Sequence, residues 1–168
     1  MLNNVPVARI LGFLFLAAVG VLAWTTLEGY RASAGTIDAG THIRFALFAI
    51  VVVLFTHTMT LFYFVGTGSR IKKVVGEYRL EPAFYARTKV FKSRLFPWLT
   101  FTPIVTMAAF ILGGGAHTRV LPGWVHGGLA LMAFGMNLIS AAVAVRCIGE
   151  NVALIDAIDA ALPEGAGE

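Results

Sequence analysis

The chain alternates between four long apolar stretches and shorter polar connections. The apolar stretches cover residues 7–27, 45–65, 95–112 and 124–145, and each is close to the roughly 20 residues that a helix needs to cross a hydrocarbon core of about 30 Å. None of them shows the two-residue alternation of a half-buried strand. The pattern predicts an all-α integral membrane protein, with residues 1–168 forming a single transmembrane domain, an up-down four-helix bundle.

The composition agrees with a bilayer environment. Apolar residues make up 58% of the chain and charged residues 13%, whereas about a quarter of the residues of a typical soluble domain are charged. The single cysteine, Cys147, excludes an internal disulfide and a cysteine-based metal cage. The net charge of +4 does not point to nucleic acid, because most of the cations fall in one connection.

That connection, residues 66–94, fixes the predicted orientation. Lys and Arg in short loops remain on the cytoplasmic side of a membrane, so this connection and both termini are predicted to be cytoplasmic, in a multi-pass protein of the bacterial inner membrane. Its apolar residues keep a helical spacing on both sides of Pro82, which predicts a cytoplasmic helical hairpin turning near residues 79–81. Seven cations are candidates for contact with lipid headgroups or an acidic partner: Arg70, Lys72, Lys73, Arg87, Lys89, Lys92 and Arg94.

The end of the chain differs in composition from the apolar stretches. Acidic residues recur over residues 155–168, and proline and glycine follow near the terminus. This pattern predicts a frayed acidic tail. No internal repeat or symmetry between the two halves is recognisable in the sequence.

Polar side chains inside the apolar stretches are candidate functional groups, because they are costly in lipid. His57 lies about 12 residues into the second stretch, and counting 1.5 Å per residue places Asn137, Thr100 and Thr102 near the same depth. One interpretation is that His57 fixes helix packing through a hydrogen bond. The other is that His57, with Asn137 nearby, binds a haem iron or a quinone.

Three further histidines lie near the opposite boundary of the bilayer. His42 opens the second stretch, His126 opens the fourth, and His117 lies in the connection before it. Three imidazoles suit zinc or copper, and the pair His42 and His126 suits a haem, although interfacial histidines are also tolerated without a ligand. On the same side, Arg44 is expected to form an ion pair with Glu28 or with Asp38.

The sequence contains no complete catalytic constellation. It has no HExxH motif, and no Asp or Glu lies within the four apolar stretches, which argues against hydrolysis and carboxylate proton relays. The sequence therefore favours a non-catalytic membrane subunit or scaffold that packs with partner proteins in a larger inner-membrane complex, or with copies of itself. The first alternative is a haem b- or quinone-binding anchor of a respiratory redox enzyme, which the bundle resembles in architecture. The second is a small oligomeric channel or carrier.

Overall fold

The computed structural model describes residues 5–163, which form four α-helices: α1 (Val5–Ser33), α2 (Ala39–Glu77), α3 (Pro82–His117) and α4 (Gly123–Ala161). Within this part of the chain there is no strand. All four helices are long and apolar enough to cross a membrane, which confirms the predicted all-α class. Each helix is longer than its apolar stretch, because the helical backbone continues into polar segments where no proline or turn signal interrupts it.

The four helices pack in cyclic order, so that α1 contacts α2 and α4, and α3 contacts α2 and α4. As a consequence, α1 and α3 lie diagonally opposite each other, and so do α2 and α4. The connection between α2 and α3 comprises only residues 78–81, and the larger cluster of buried apolar side chains, which includes Phe64 and Leu99, extends toward that end. A smaller cluster around Leu22 and Val53 lies toward the other end.

The expected frayed tail is wrong for residues 155–161, because α4 continues to Ala161. Ile155 and Ile158 are at most 2% exposed and pack into the larger cluster. The acidic Asp156 lies between them on the exposed side of the helix, so the helical apolar period persists although the composition changes. Residues 164–168 lie outside the described part of the chain.

An internal repeat relates α1–α2 to α3–α4, with an offset of 84 residues. The last residue of α3 follows the last residue of α1 by 84 positions. The first and last residues of α4 follow those of α2 by the same number. The connections 34–38 and 118–122 share the same pattern of backbone hydrogen bonds. Each has a residue with positive φ at the equivalent position, Gly35 at 71° and Arg119 at 61°. The structure thus contains a repeat that was not recognised in the sequence.

Burial recurs in the repeat more consistently than residue identity does. Helices α1 and α3 run in the same direction, so the two halves are related by an approximate two-fold axis along the bundle, as in parallel repeats of other membrane proteins. Buried residues recur at equivalent positions in both halves: Leu11 and Leu95, Phe15 and Leu99, Ala18 and Thr102, Leu22 and Thr106, Thr25 and Ala109, Ala49 and Ala133, Val53 and Asn137, Thr56 and Ser140.

Candidate bis-histidine site

His42 and His126 face each other across the centre of the bundle. They occupy equivalent positions of the repeat, one turn after the starts of α2 and α4. Their ring centroids are 6.2 Å apart and their planes are inclined by 63°. Because α2 and α4 are diagonal neighbours, the approximate two-fold axis passes between the two imidazoles. The structure thus brings together two of the three histidines that the sequence placed at this boundary.

His117, the third of these histidines, is the last residue of α3 and is exposed. Among residues 5–163, no group of three or more His, Cys, Asp or Glu side chains is arranged to hold a metal ion. The expected convergence of three imidazoles is therefore not found in this part of the chain. The reason is positional, since His117 ends a helix whereas the other two histidines lie one turn inside theirs.

Both imidazoles pack against the helix that precedes their own. A Cβ atom added at Gly29 would lie 3.0 Å from Cε1 of His42, and one added at Gly113 would lie 2.9 Å from Cε1 of His126. Each glycine stands 13 residues before its histidine. Glycine is required at both positions because a side chain would displace the ring that rests on the backbone.

Backbone carbonyl groups contribute to the orientation of the rings. Nδ1 of His126 donates a hydrogen bond of 3.1 Å to the carbonyl oxygen of Ala109, so Nε2 retains its lone pair. The backbone of Thr25, the counterpart of Ala109, lies beside the His42 ring, and the buried Nδ1 of His42 makes no hydrogen bond. A carbonyl that fixes the tautomer of an imidazole is common where histidine binds a metal.

Small side chains from all four helices line the space next to the two imidazoles. This space amounts to about 480 Å³, including its open part, and an inner portion of about 70 Å³ admits the centres of water-sized molecules. One and two turns inward from the histidines, α2 and α4 contribute four alanines to the lining, and α2 also contributes Ile50. The alanines are Ala46, Ala49, Ala130 and Ala133, and the lining from α1 and α3 comprises Leu22, Thr25, Thr26, Thr106, Ala109 and Phe110.

His57 lies deeper in the bundle and is 1% exposed. Its Nδ1 donates a hydrogen bond of 2.9 Å to the carbonyl oxygen of Val53, so its Nε2 accepts the hydroxyl hydrogen of Ser140 at 3.1 Å. The ring of Phe15 packs edge-on against it, with centroids 5.5 Å apart. Both ring nitrogens of His57 thus form hydrogen bonds inside the bundle. This is the arrangement expected if His57 fixes helix packing.

Asn137 is buried at a similar level but does not contact His57 through a hydrogen bond. Its amide donates to the Thr106 hydroxyl at 2.9 Å and to the carbonyl oxygen of Ala133 at 2.8 Å. Sequence reasoning missed Thr106 and Ser140 as members of this polar layer. The missing signal was helical spacing, because Ser140 follows Asn137 by three residues and therefore lies on the same face.

The two threonines that depth counting placed at this level have different surroundings. Thr102 is fully buried, and its hydroxyl makes no hydrogen bond, whereas Thr100 is exposed on the outer face of α3. Two residues correspond to about 200° of rotation around a helix, so only one of the pair can point inward. The depth expected from the sequence therefore does not bring the Thr100 side chain into the interior.

Glu28 is a buried carboxylate at the histidine end of α1. It is 3% exposed and forms an ion pair with Arg31 at 2.8 Å. The expected pairing of Glu28 with Arg44 is not formed, since Arg31 lies one turn along the same helix and is closer. Arg44 instead donates a hydrogen bond to the Thr41 hydroxyl.

The cations at the α2–α3 end are mostly exposed. Arg94 pairs with Glu150 on α4 at 3.0 Å, and the ammonium of Lys89 lies 5.0 Å from the ring centroid of Tyr85. Lys92 is half-buried and rests against Gly68. The exposed members of the predicted contact set are Arg70, Lys72, Lys73, Arg87, Lys89 and Arg94.

No protein-family model, curated protein or solved structure matches the chain, so a function has to be inferred from the site itself.

Proposed function

We propose that the protein is a membrane redox subunit that binds one haem b between His42 and His126. The observation that carries this proposal is the facing pair of imidazoles, 6.2 Å apart between centroids. Two nitrogens bonded from opposite sides to one metal at about 2.0 Å place their ring centres about 6 Å apart. At this separation, His42 and His126 would be able to hold one iron between them.

The number of protein ligands favours haem over a bare metal ion. Zinc sites use three or four protein ligands, and no group of three candidate ligands occurs among residues 5–163. A haem iron needs only axial ligands from the protein, because the macrocycle supplies the other four. When bound, haem b supplies one-electron chemistry.

The chain's own residues would hold and orient the group. His42 and His126 would hold it from α2 and α4, where four alanines line the space one and two turns inward, together with the larger Ile50. The edges of this space face α1 and α3, the other diagonal pair of helices. Seating a macrocycle there requires the lining side chains at the open edges, such as Phe110, to move apart.

The membrane placement is part of the same proposal. The basic α2–α3 end lies in the cytoplasm, both termini face the same side, and residues 66–94 extend from the bilayer as a helical hairpin. The bis-histidine site then lies near the outer surface of a bacterial inner membrane. A small haem-binding subunit would also pack against partner proteins in a larger complex. This is the function that the sequence favoured first.

Absorption spectroscopy tests the proposal directly. The protein is expressed in haem-replete cells, purified in mild detergent, and measured before and after reduction with dithionite. We expect a Soret band with the spectrum of a low-spin, bis-imidazole haem, at one haem per chain. His42→Ala and His126→Ala should each lose this spectrum.

Two other histidines provide matched controls. His57→Ala and His117→Ala should retain the bound haem, because His57 is engaged with Val53 and Ser140 and His117 is exposed at a helix end. The proposal fails if the wild-type protein binds no haem after reconstitution with hemin. It also fails if both His42→Ala and His126→Ala keep the wild-type spectrum.

A further inference from the structure

A shallow groove lies on the exposed side of α3 beside Pro97, at the opposite end of the bundle from the two facing histidines. Pro97 stands inside the helix. It has no N–H to donate to the carbonyl four residues earlier, and its ring displaces that carbonyl, so this turn of α3 is less tightly closed than its neighbours. We call this surface the Pro97 groove. It is lined by Lys92, Ser93, Phe96, Pro97, Thr100 and Phe101.

Lys92 supplies a cation at one end of the Pro97 groove. Its side chain is half-buried and reaches toward α2, where a Cβ atom added at Gly68 would lie 2.8 Å from Nζ. The absence of a side chain at Gly68 thus lets the ammonium settle between α2 and α3. Among residues 5–163, Lys92 takes part in no ion pair, so no carboxylate of this part of the chain neutralises its charge.

Polarity changes along the Pro97 groove in the order that a phospholipid requires. Lys92 and Ser93 lie at the end nearer the α2–α3 connection, whereas Phe101 lies further along α3 and is 59% exposed. A rise of 1.5 Å per residue puts about 14 Å between the two ends of the groove. The groove therefore leads from the basic end of the bundle into the apolar part of α3, as a lipid leads from its headgroup into its acyl chain.

The repeat does not duplicate this combination of residues. At the equivalent positions, the first half has Ala8 instead of Lys92 and Phe13 instead of Pro97. The corresponding face of α1 thus has neither the cation nor the interrupted turn, although both halves bury equivalent positions. Between the two described halves, a groove of this kind is therefore a feature of α3 and not of α1.

We propose that the Pro97 groove binds one anionic glycerophospholipid. The ammonium of Lys92 donates charge-assisted hydrogen bonds to the phosphate oxygens, and an acyl chain covers Phe96 and Phe101 toward the middle of the bilayer. Basic pockets beside transmembrane helices are suited to anionic headgroups. This site lies away from His42 and His126, so the proposal does not depend on haem.

Native mass spectrometry of the purified protein in mild detergent tests the proposal. Delipidated protein is mixed with equal amounts of phosphatidylglycerol and phosphatidylcholine that have the same acyl chains. We expect one phosphatidylglycerol per chain to be retained, with a preference of about fivefold, the effect of one lysine beside an anionic headgroup. Lys92→Gln should abolish this preference. The control is Lys73→Gln, which removes the same charge from the exposed side of α2 and should keep the preference.

A second pair of variants tests the apolar part of the groove without a change of charge. Thr100→Phe fills the groove one turn beyond Phe96, and Leu16→Phe adds the same ring at the equivalent, exposed position of α1. Thr100→Phe should lower the retention of phosphatidylglycerol, whereas Leu16→Phe should not. Both variants should fold like the wild type, because both positions are on the surface of the protein.

Several results would overturn the site. Equal loss of the preference in Lys92→Gln and Lys73→Gln would show attraction to the basic end as a whole, and a wild-type protein without headgroup preference would show no site at all. Soluble glycerol phosphate at the same concentration should not displace the lipid, and displacement would make the groove a site for free phosphate esters instead. A protein without a Soret band that still retains the lipid would contradict the proposed haem function and leave this proposal intact.

Discussion

Asn137 donates a hydrogen bond of 2.9 Å to Thr106, at positions where the first half of the repeat has Val53 and Leu22. A polar pair thus replaces an apolar pair while the burial of all four residues is kept. Thr106 also lines the space next to the histidines, so the hydrogen bond connects Asn137 to the lining of the proposed haem site. At these positions the two halves therefore differ in chemistry while both pairs remain buried.

A double-mutant cycle on Asn137 and Thr106 should measure this interaction. We expect Asn137→Val and Thr106→Val to destabilise the bundle singly, and the double variant to lose less than the sum, because each single variant already removes the hydrogen bond between the two side chains. The coupling energy should be about 0.6 kcal/mol and no more than about 1.7 kcal/mol. Unfolding in mixed micelles with a graded denaturing detergent is the measurement. Strict additivity would show that the two side chains do not interact.

The two glycines beneath the imidazoles should be less tolerant of alanine than the other glycines of their helices. Gly29→Ala and Gly113→Ala place a Cβ within 3.0 Å of Cε1 of His42 and His126 respectively, so the ring must move off the axis between α2 and α4. We expect each variant to lower the haem content of the purified protein.

The controls for this comparison lie on the same helices. A Cβ at Gly20 or Gly114 meets nothing within 4 Å, so Gly20→Ala and Gly114→Ala should retain full haem content. If Gly113→Ala and its neighbour Gly114→Ala bind haem equally well, contact between the glycine and the ring is not needed for the site.

The helical class could be predicted from sequence because it depends on local information. An apolar run of about 20 residues meets the length requirement of a membrane helix whatever its neighbours do. The repeat is hard to recognise in the sequence, since most buried counterparts share burial and not residue identity, as in Val53 and Asn137. The identical pairs, such as His42 and His126, are scattered between them. Burial is a property of the folded bundle, so the offset of 84 residues becomes visible only when the helices are assembled.

The site was predictable only in part, for a related reason. Counting residues along a helix gives depth, and depth alone placed His42 and His126 near the same boundary. Which side chains meet also depends on rotation around each helix and on which helices lie diagonally opposite. Thr100 has a suitable depth but the wrong rotation, whereas Gly113 supports His126 through a contact that no polar residue signals.

Filling the space next to the histidines should separate haem binding from stability. Ala46→Leu and Ala130→Leu extend side chains from positions that line this space, one turn inward from His42 and His126. We expect loss of haem in both variants, while the haem-free protein remains as stable as the wild type or gains stability, because the added methyl groups occupy a void.

A lipid-facing substitution controls for the added bulk. Ala23 is exposed on α1, so Ala23→Leu should bind haem normally. Haem content is measured from the absorption spectrum, and the stability of the haem-free form from its thermal unfolding in detergent. Wild-type haem content in Ala130→Leu would mean that the macrocycle does not occupy this space.

In the proposed orientation, a reagent that cannot cross membranes reaches the histidine end of the bundle from outside the cell but does not reach the basic α2–α3 end. Replacement of the buried Cys147 by alanine gives a protein without cysteine. Single cysteines are then introduced at Lys72, on the basic end, and at Thr36, in the connection beside the histidines. In intact inner-membrane spheroplasts we expect a charged maleimide to label Thr36→Cys and not Lys72→Cys. Disruption of the membrane should expose both, because both positions are on the surface of the protein. Labelling of Lys72→Cys in intact spheroplasts would contradict the orientation and place the bis-histidine site on the cytoplasmic side, where its electron-transfer partner would then also have to lie.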